Sequence, residues 1–202
     1  MPAPLYCFIC HRGTLETQRS RIHSMMERLG LPYLLCDGGA TNTVYDPERH
    51  TVHLACNDSY AGLPDKMLVL FKFLATASDF APFTHFVKCD EDMRVLRPFE
   101  ETNILGDYSG RVYTSEGNRR WHIGRCPGSP WNARPYTGVF VPYCLGGYGY
   151  VMSRRAVTVA AIAAGILTSA DEIYEDLMMG KILLACGIQP THIPKLSDYV
   201  CG

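Results

Sequence analysis

The 202 residues are 47% hydrophobic and 19% charged, with 19 Lys+Arg against 20 Asp+Glu and a formal net charge of −1, which describes a globular chain of one domain or two small ones. A chain of this length buries roughly 70% of its unfolded surface without staples, and its composition excludes disorder, collagen and coiled coil. With no run of like charges, it also lacks the clustered Lys and Arg that neutralise phosphates, so no nucleic-acid partner is expected.

In chain order, Leu5 to Cys10 is an apolar run followed at once by polar His11-Arg12-Gly13-Thr14, the pattern of a buried strand ending in a loop. From Leu15 the spacing turns helical, with Ile22, Met25, Met26 and Leu29 three and four apart until Gly30. Leu31 to Cys36 is a second apolar run, closed by Asp37-Gly38-Gly39. Strand, helix, strand is the opening of a parallel α/β sheet, in which ligands bind beyond the carboxyl ends of the strands. His11, Arg12, Thr14 and Asp37 are therefore the first residues expected to face a ligand. Val52 to Cys56 predicts a third strand, Leu63 to Ala75 an apolar helix, and Thr84 to Lys88 a strand running into Cys89-Asp90-Glu91-Asp92. Residues 98–142, rich in Gly, Pro, Trp and Tyr, predict irregular strands and loops on an acceptor side. Tyr150 to Ser153 returns to strand, Arg154 to Leu167 predicts a helix capped by Ser153, and Glu175 to Cys186 a last helix.

The first residues carry no basic region ahead of their short apolar run, so no signal peptide is expected. The stretch Val157 to Leu167 is about half a membrane span, so the expectation is a soluble, cytoplasmic chain with no membrane span. Nine scattered cysteines, many in apolar company, predict free thiols in a reducing compartment. Cys7-Phe8-Ile9-Cys10-His11 fits the haem-attachment spacing C-x-x-C-H, but its place inside the first strand favours two strand cysteines.

Four features carry candidate chemistry. Asp90-Glu91-Asp92 ends an apolar strand, and hard oxygens there suit Mg²⁺ or Mn²⁺ carrying a diphosphate, although such a triplet alone is more often a solvated turn. Leu145-Gly-Gly-Tyr-Gly-Tyr150 lets the backbone approach a ligand closely and offers flat faces to a sugar. It lacks the spacings of a P-loop or a dinucleotide site, and a plain turn is the simpler reading in isolation. Tyr174-Glu175-Asp176 opens a helix, where acids stabilise the dipole or where one acts as general base. His192 stands alone and by itself reads as structural.

The order of these features resembles the glycosyltransferases of the beta-1,3-galactosyltransferase and Fringe type, which have the nucleotide-sugar-binding GT-A fold. Asp58-Ser-Tyr-Ala-Gly-Leu-Pro-Asp-Lys66 resembles their D-x-Y-x-N-L-x-x-K segment, with Gly62 where asparagine is usual. Thr84-His-Phe-Val-Lys-Cys-Asp90-Glu91-Asp92 resembles their strand ending in K-x-D-D-D, with Glu91 in the middle position. Val141-Pro-Tyr-Cys-Leu-Gly-Gly-Tyr-Gly-Tyr-Val-Met-Ser153 is similar to Y-P-x-x-x-x-G-x-G-Y-x-x-S, and Glu175-Asp-Leu-Met-Met-Gly180 to E-D-V-x-x-G. Members usually carry a membrane anchor, a stem and luminal disulfides, none visible here. The compact form is similar to the stand-alone glycosyltransferase domains of large DNA viruses, of the chlorella virus type, which suggests a viral origin in a host cytoplasm.

The resemblance implies one α/β GT-A domain over 1–202, with a mostly parallel central sheet flanked by helices, a nucleotide-binding half in 1–97 and an acceptor-binding and catalytic half in 98–202. It implies an inverting, metal-dependent transfer of a hexose from a nucleoside-diphosphate sugar, of the UDP-sugar kind, to a glycan hydroxyl. Asp92, with Asp90, would hold Mn²⁺ (or Mg²⁺), His192 would complete its shell, and Asp176 would be the base. His11, Arg12, Asp37, Lys66, Lys88, Asp90, Glu91, Gly146 and Gly147 would surround the donor, and Trp121, His122, Trp131, Tyr148 and Glu175 the acceptor. A nucleotidyltransferase or nucleotide-sugar pyrophosphorylase, a catalytically inactive nucleotide-sugar or glycan-binding module, a retaining enzyme and a larger multidomain parent protein stay open as alternatives.

Overall fold

A computed structural model describes residues 4–99, 106–164, 166 and 171–202. Strands β1 (Leu5–Ile9) and β2 (Tyr33–Asp37) are buried along their whole length, as strands covered on both faces are. Between them α1 (Leu15–Leu29) stops at Gly30, whose φ of 63° is the left-handed cap that glycine adopts at least cost. The chain continues through β3 (Val44–Asp46), β4 (Thr51–His53), α2 (Leu63–Thr76), β5 (His85–Asp90) and β6 (Arg94–Val95). After it come β7 (Tyr108–Gly110), β8 (Val112–Tyr113), β9 (Tyr143–Cys144), β10 (Tyr150–Ser153), α3 (Arg154–Ala163), α4 (Glu175–Ala185), β11 (Thr191–His192) and β12 (Val200–Cys201).

Eight strands form one sheet in the order β11-β7-β10-β5-β1-β2-β4-β3. Only β10 and β3 run against the rest, so the sheet is mostly parallel. The period-two alternation of β1 divides the core. Leu5, Cys7 and Ile9 pack with α2, α3 and α4 on one face, while Tyr6, Phe8 and Cys10 meet Leu15, Ile22, Met25 and Met26 of α1 on the other. A third, aromatic cluster built from Trp131, Tyr136, Tyr143, Ile173 and Leu177 lies apart from these two.

The molecule is therefore α/β, and strands from both halves of the chain enter the same sheet. The strands expected at 31–36 and 52–56 lie at 33–37 (β2) and 51–53 (β4), because Asp37 and Thr51 fill ladder positions despite their polarity. β3, β6, β8, β9, β11 and β12 are too short to give a periodic signal. Ser153 caps α3 as expected, accepting a hydrogen bond from the Ala156 N–H at 3.2 Å, but α3 ends at Ala163, and Leu167 lies outside the described residues. Among the described residues no helix is long and apolar enough to cross a membrane, and all nine cysteines are free thiols.

Gly180 shows how tightly α4 is set against β9. A Cβ there would stand 2.6 Å from the Tyr143 Cβ and 3.0 Å from the Pro142 carbonyl oxygen. Alanine gains about 1 kcal/mol of helix propensity over glycine, whereas forcing an atom into a packed contact costs roughly 1–3 kcal/mol. Gly180→Ala is thus expected to lower stability in urea unfolding by about 1–2 kcal/mol, and a stabilised variant would contradict this packing.

Candidate active site

Parallel register brings the carboxyl ends of β1, β2 and β5 to one edge, since Ile9 pairs with both Cys36 and Asp90. The loop after β1 is held there by internal bonds. The His11 N–H donates to Glu91 Oε2 at 3.0 Å, the Arg12 N–H to Asp58 Oδ2 at 2.6 Å, the Gly13 N–H to the His11 ring, and the Thr14 N–H to the His11 carbonyl. Asp58 also accepts from the Gly38 N–H at 2.8 Å and from Lys66 Nζ at 2.5 Å. Burial pulls its carboxyl upward, but Lys66 and the two amides outweigh that and hold it below the usual carboxylate range. At the end of β2, fully buried Asp37 takes the Arg12 guanidinium at 3.1 Å and the His53 ring at 2.7 Å.

The neighbouring end of β5 is organised by one ammonium. Lys88, 3% exposed, lies 2.5 Å from Asp90 Oδ1, 3.0 Å from Glu175 Oε1 and 3.1 Å from the Gly146 carbonyl oxygen. Glu175, 4% exposed, also accepts the Tyr150 hydroxyl at 3.0 Å. Next to it, Asp176 accepts the Gly146 N–H at 3.0 Å and the Leu177 N–H at 2.8 Å. A Cβ on Gly146 would fall 2.4 Å from Glu175 Oε1, so only glycine lets the loop reach these groups.

Two carboxylates thus bracket one cation, and a third, Asp176, stands beside them on backbone amides. Burial works against the charge on Lys88, but Asp90 and Glu175 overcome it and keep the amine protonated. Burial pushes Glu175 up to about 7, with the Asp176 and Asp90 charges adding to the rise and Lys88 opposing it. Burial likewise raises Asp176, partly offset by the Gly146 N–H.

Two adjoining cavities open beside this cluster. One, of 260 Å³, is lined by Lys88, Asp90, Gly146, Arg125 and Asp176. The other, of 330 Å³, is largely aromatic, lined by Tyr113, Trp121, Phe140, Tyr143, Tyr148 and Tyr174. Asp176, Gly147, Trp121 and Tyr174 belong to both walls.

The structure brings some of the residues singled out in the sequence together and sets others apart. Asp90, Gly146, Gly147, Asp176, Trp121 and Tyr148 share the cleft, and Trp121 and Tyr148 are 52% and 46% exposed there. Lys66 does not face it, because its ammonium is buried against Asp58 and the Cys10 carbonyl. Glu91 turns to His11 and Thr14 instead. Glu175, paired with Lys88, lines the polar cavity and not the aromatic one. His122, fully buried, has Nε2 2.9 Å from the Arg134 carbonyl, to which it donates, and Nδ1 2.7 Å from the Tyr174 hydroxyl. Trp131 packs edge-on to His122 in the aromatic core. Neither lines the acceptor cavity, and aromatic composition alone gave no means of separating them from Trp121.

The metal set is also smaller than expected. Register runs from Lys88 through Tyr150 and Gly110 to His192, and three strand spacings of about 4.8 Å separate His192 from Lys88 by roughly 14 Å. Among the described residues no group of three or more His, Cys, Asp and Glu is gathered to hold a metal. Asp90 and exposed Asp92 remain as hard oxygen donors at the strand end. Sequence reasoning missed Arg125, His53 and the anchoring part of Asp58. Asp58 and Lys66 stood in a quoted motif, but their contact depends on the turn at 60–62 between them. No protein-family model matches the chain, and no curated protein matches it significantly.

Lys88→Met leaves Glu175 buried without its cation and should cost about 3–5 kcal/mol in urea unfolding, while Lys88→Met with Glu175→Leu recovers most of it. A double variant no more stable than the single would contradict the clamp. The raised Glu175 adds a pH signature, because the native state holds its proton more tightly than the unfolded chain does. Its contribution is full below pH 4.5 and is lost as pH rises through about 7. The stability of wild type relative to Glu175→Gln should therefore fall across that window, and a pH-independent difference would contradict the assignment.

Proposed function

We propose that the chain is a metal-dependent GT-A glycosyltransferase that moves a sugar from a nucleoside diphosphate, of the uridine kind, to a saccharide hydroxyl with inversion at the anomeric carbon. The observation that carries this reading is the place of Asp176, in the wall shared by a polar cavity containing Asp90 and an aromatic cavity suited to a sugar face. The mostly parallel sheet is compatible with that fold, and the strand-end position of Asp90 is where such sheets bind ligands.

In this reading the donor lies over Asp90 and the Gly146–Gly147 loop, and the acceptor stacks on Trp121 and Tyr148. Asp176 removes the proton from the attacking hydroxyl. Its carboxylate is aimed by the Gly146 and Leu177 amides, and burial raises its basicity. Asp90 and Asp92 would hold Mn²⁺ or Mg²⁺, whose part when bound is to neutralise the departing diphosphate. Two carboxylates suffice for such a cation because phosphate oxygens and water supply the rest. Lys88 holds Asp90 and Gly146 in position from beneath.

A nucleotidyltransferase would use the loop after β1 as a phosphate cradle. The four backbone amides from His11 to Thr14 all have internal acceptors, and the Arg12 guanidinium is engaged by Asp37 and the Gly39 carbonyl, which favours the transferase.

Asp176→Asn keeps the shape of the base and removes its proton affinity. Release of nucleoside diphosphate from nucleotide sugars in the presence of saccharide acceptors should fall by about 10²–10⁴-fold, with donor affinity within about twofold of wild type. Weakened donor binding with turnover intact would contradict the assignment.

A further inference from the structure

Two cations beside the aromatic cavity have no part in the transfer as described. Arg125 lays its guanidinium 3.9 Å from the centre of the Trp121 ring, and Arg111 lays its own 4.2 Å from the centre of the Tyr148 ring. Both rings line the aromatic cavity, and Arg125 itself lines the adjoining polar one. Both arginines are exposed, and among the described residues neither has a carboxylate partner. Arg12, Arg19, Arg119 and Arg155, by contrast, each lie on an acid.

A guanidinium held over a ring is restrained there while its N–H groups can still donate in pairs to a planar or tetrahedral anion. The nearby acids do not neutralise these cations. Asp90 and Glu175 face Lys88, Asp176 faces backbone amides, and Glu116 is bound to Arg119 at 3.0 Å. Negative charge in the cleft is thus concentrated at its inner end, where a neutral hydroxyl must meet Asp176, and positive charge at the ring-bearing sides.

We infer that the acceptor is an acidic saccharide, bearing a carboxylate or sulfate on a part of the molecule away from the reacting hydroxyl, with Arg125 and Arg111 holding that group beside Trp121 and Tyr148. The inference rests on the transferase reading and narrows its acceptor class. It assigns Arg125 the larger share, since only Arg125 lines a cavity directly.

Calorimetric titrations with a hexuronate-containing disaccharide, its carboxyl-reduced neutral counterpart and a sulfated disaccharide test it, with a UDP–Mn²⁺ titration as a separate arm. At least one acidic member should bind about tenfold more tightly than the neutral one, the scale of one charge-assisted hydrogen-bonded pair. Arg125→Gln should remove most of that preference and Arg111→Gln part of it, the preference being read as the ratio of acidic to neutral affinity within each variant. The tighter of the two acidic probes identifies carboxylate or sulfate as the group read. Equal binding of acidic and neutral members, no binding of any acidic member, or a preference that survives the Arg111→Gln/Arg125→Gln double variant would overturn the inference. With UDP–Mn²⁺ binding intact, such a result removes the acidic acceptor alone; without it, the transferase reading falls as well.

Discussion

The Lys88 ammonium is the interaction on which the cleft depends. A cation 3% exposed is tolerated only because Asp90, Glu175 and the Gly146 carbonyl surround it, and taking it out of water uncompensated would cost several kcal/mol. Those partners come from three parts of the chain, the end of β5, the glycine loop before β10 and the start of α4. Satisfying one charge therefore fixes the positions of all three, and Asp176 is carried into place as the neighbour of Glu175. The missing side chain of Gly146 belongs to the same constraint, since any Cβ would occupy the space where Glu175 meets the lysine.

A second clamp repeats the arrangement on the other side of β1. Lys66 and Asp58, with the amides of Arg12 and Gly38, tie α2 to the loops after β1 and β2. The polar groups of these loops are consumed internally, which makes them rigid walls. The unmatched groups are then few and informative. Among the described residues, Asp92 is exposed at the strand end, Arg111 and Arg125 rest on rings without a carboxylate partner, and Asp176, held only by amides, stands between two cavities. Asp90 joins this remainder in part, since Lys88 takes its Oδ1 and no ion pair is made by its Oδ2 among the described residues.

Much of the architecture was legible in the sequence, for physical reasons that differ by element. α1 carries a helical apolar spacing and β1, α2, β5, β10 and α4 are apolar runs long enough to read, and the acidic and glycine punctuation at strand ends marks the functional edge. Two-residue strands such as β11 carry no pattern, so His192 was joined to the metal acids on motif order alone, and the register sets it three strands away. For Lys66, Glu91 and Glu175 the sequence shows a charge without its partner; the fold supplies Asp58, His11 and Thr14, and Lys88 as those partners. His122, Trp131 and Trp121 differ in burial far more than in their local sequence, and only packing separates the core pair from the exposed ring.

The most direct test of the central claim is a calorimetric titration of nucleoside diphosphates, UDP first, with Mn²⁺ and again with EDTA, on wild type and Asp92→Ala. The account predicts metal-dependent binding of one nucleotide that is lost in Asp92→Ala. Binding of none of them, or binding indifferent to both EDTA and the Asp92 carboxylate, would contradict a donor site at the end of β5.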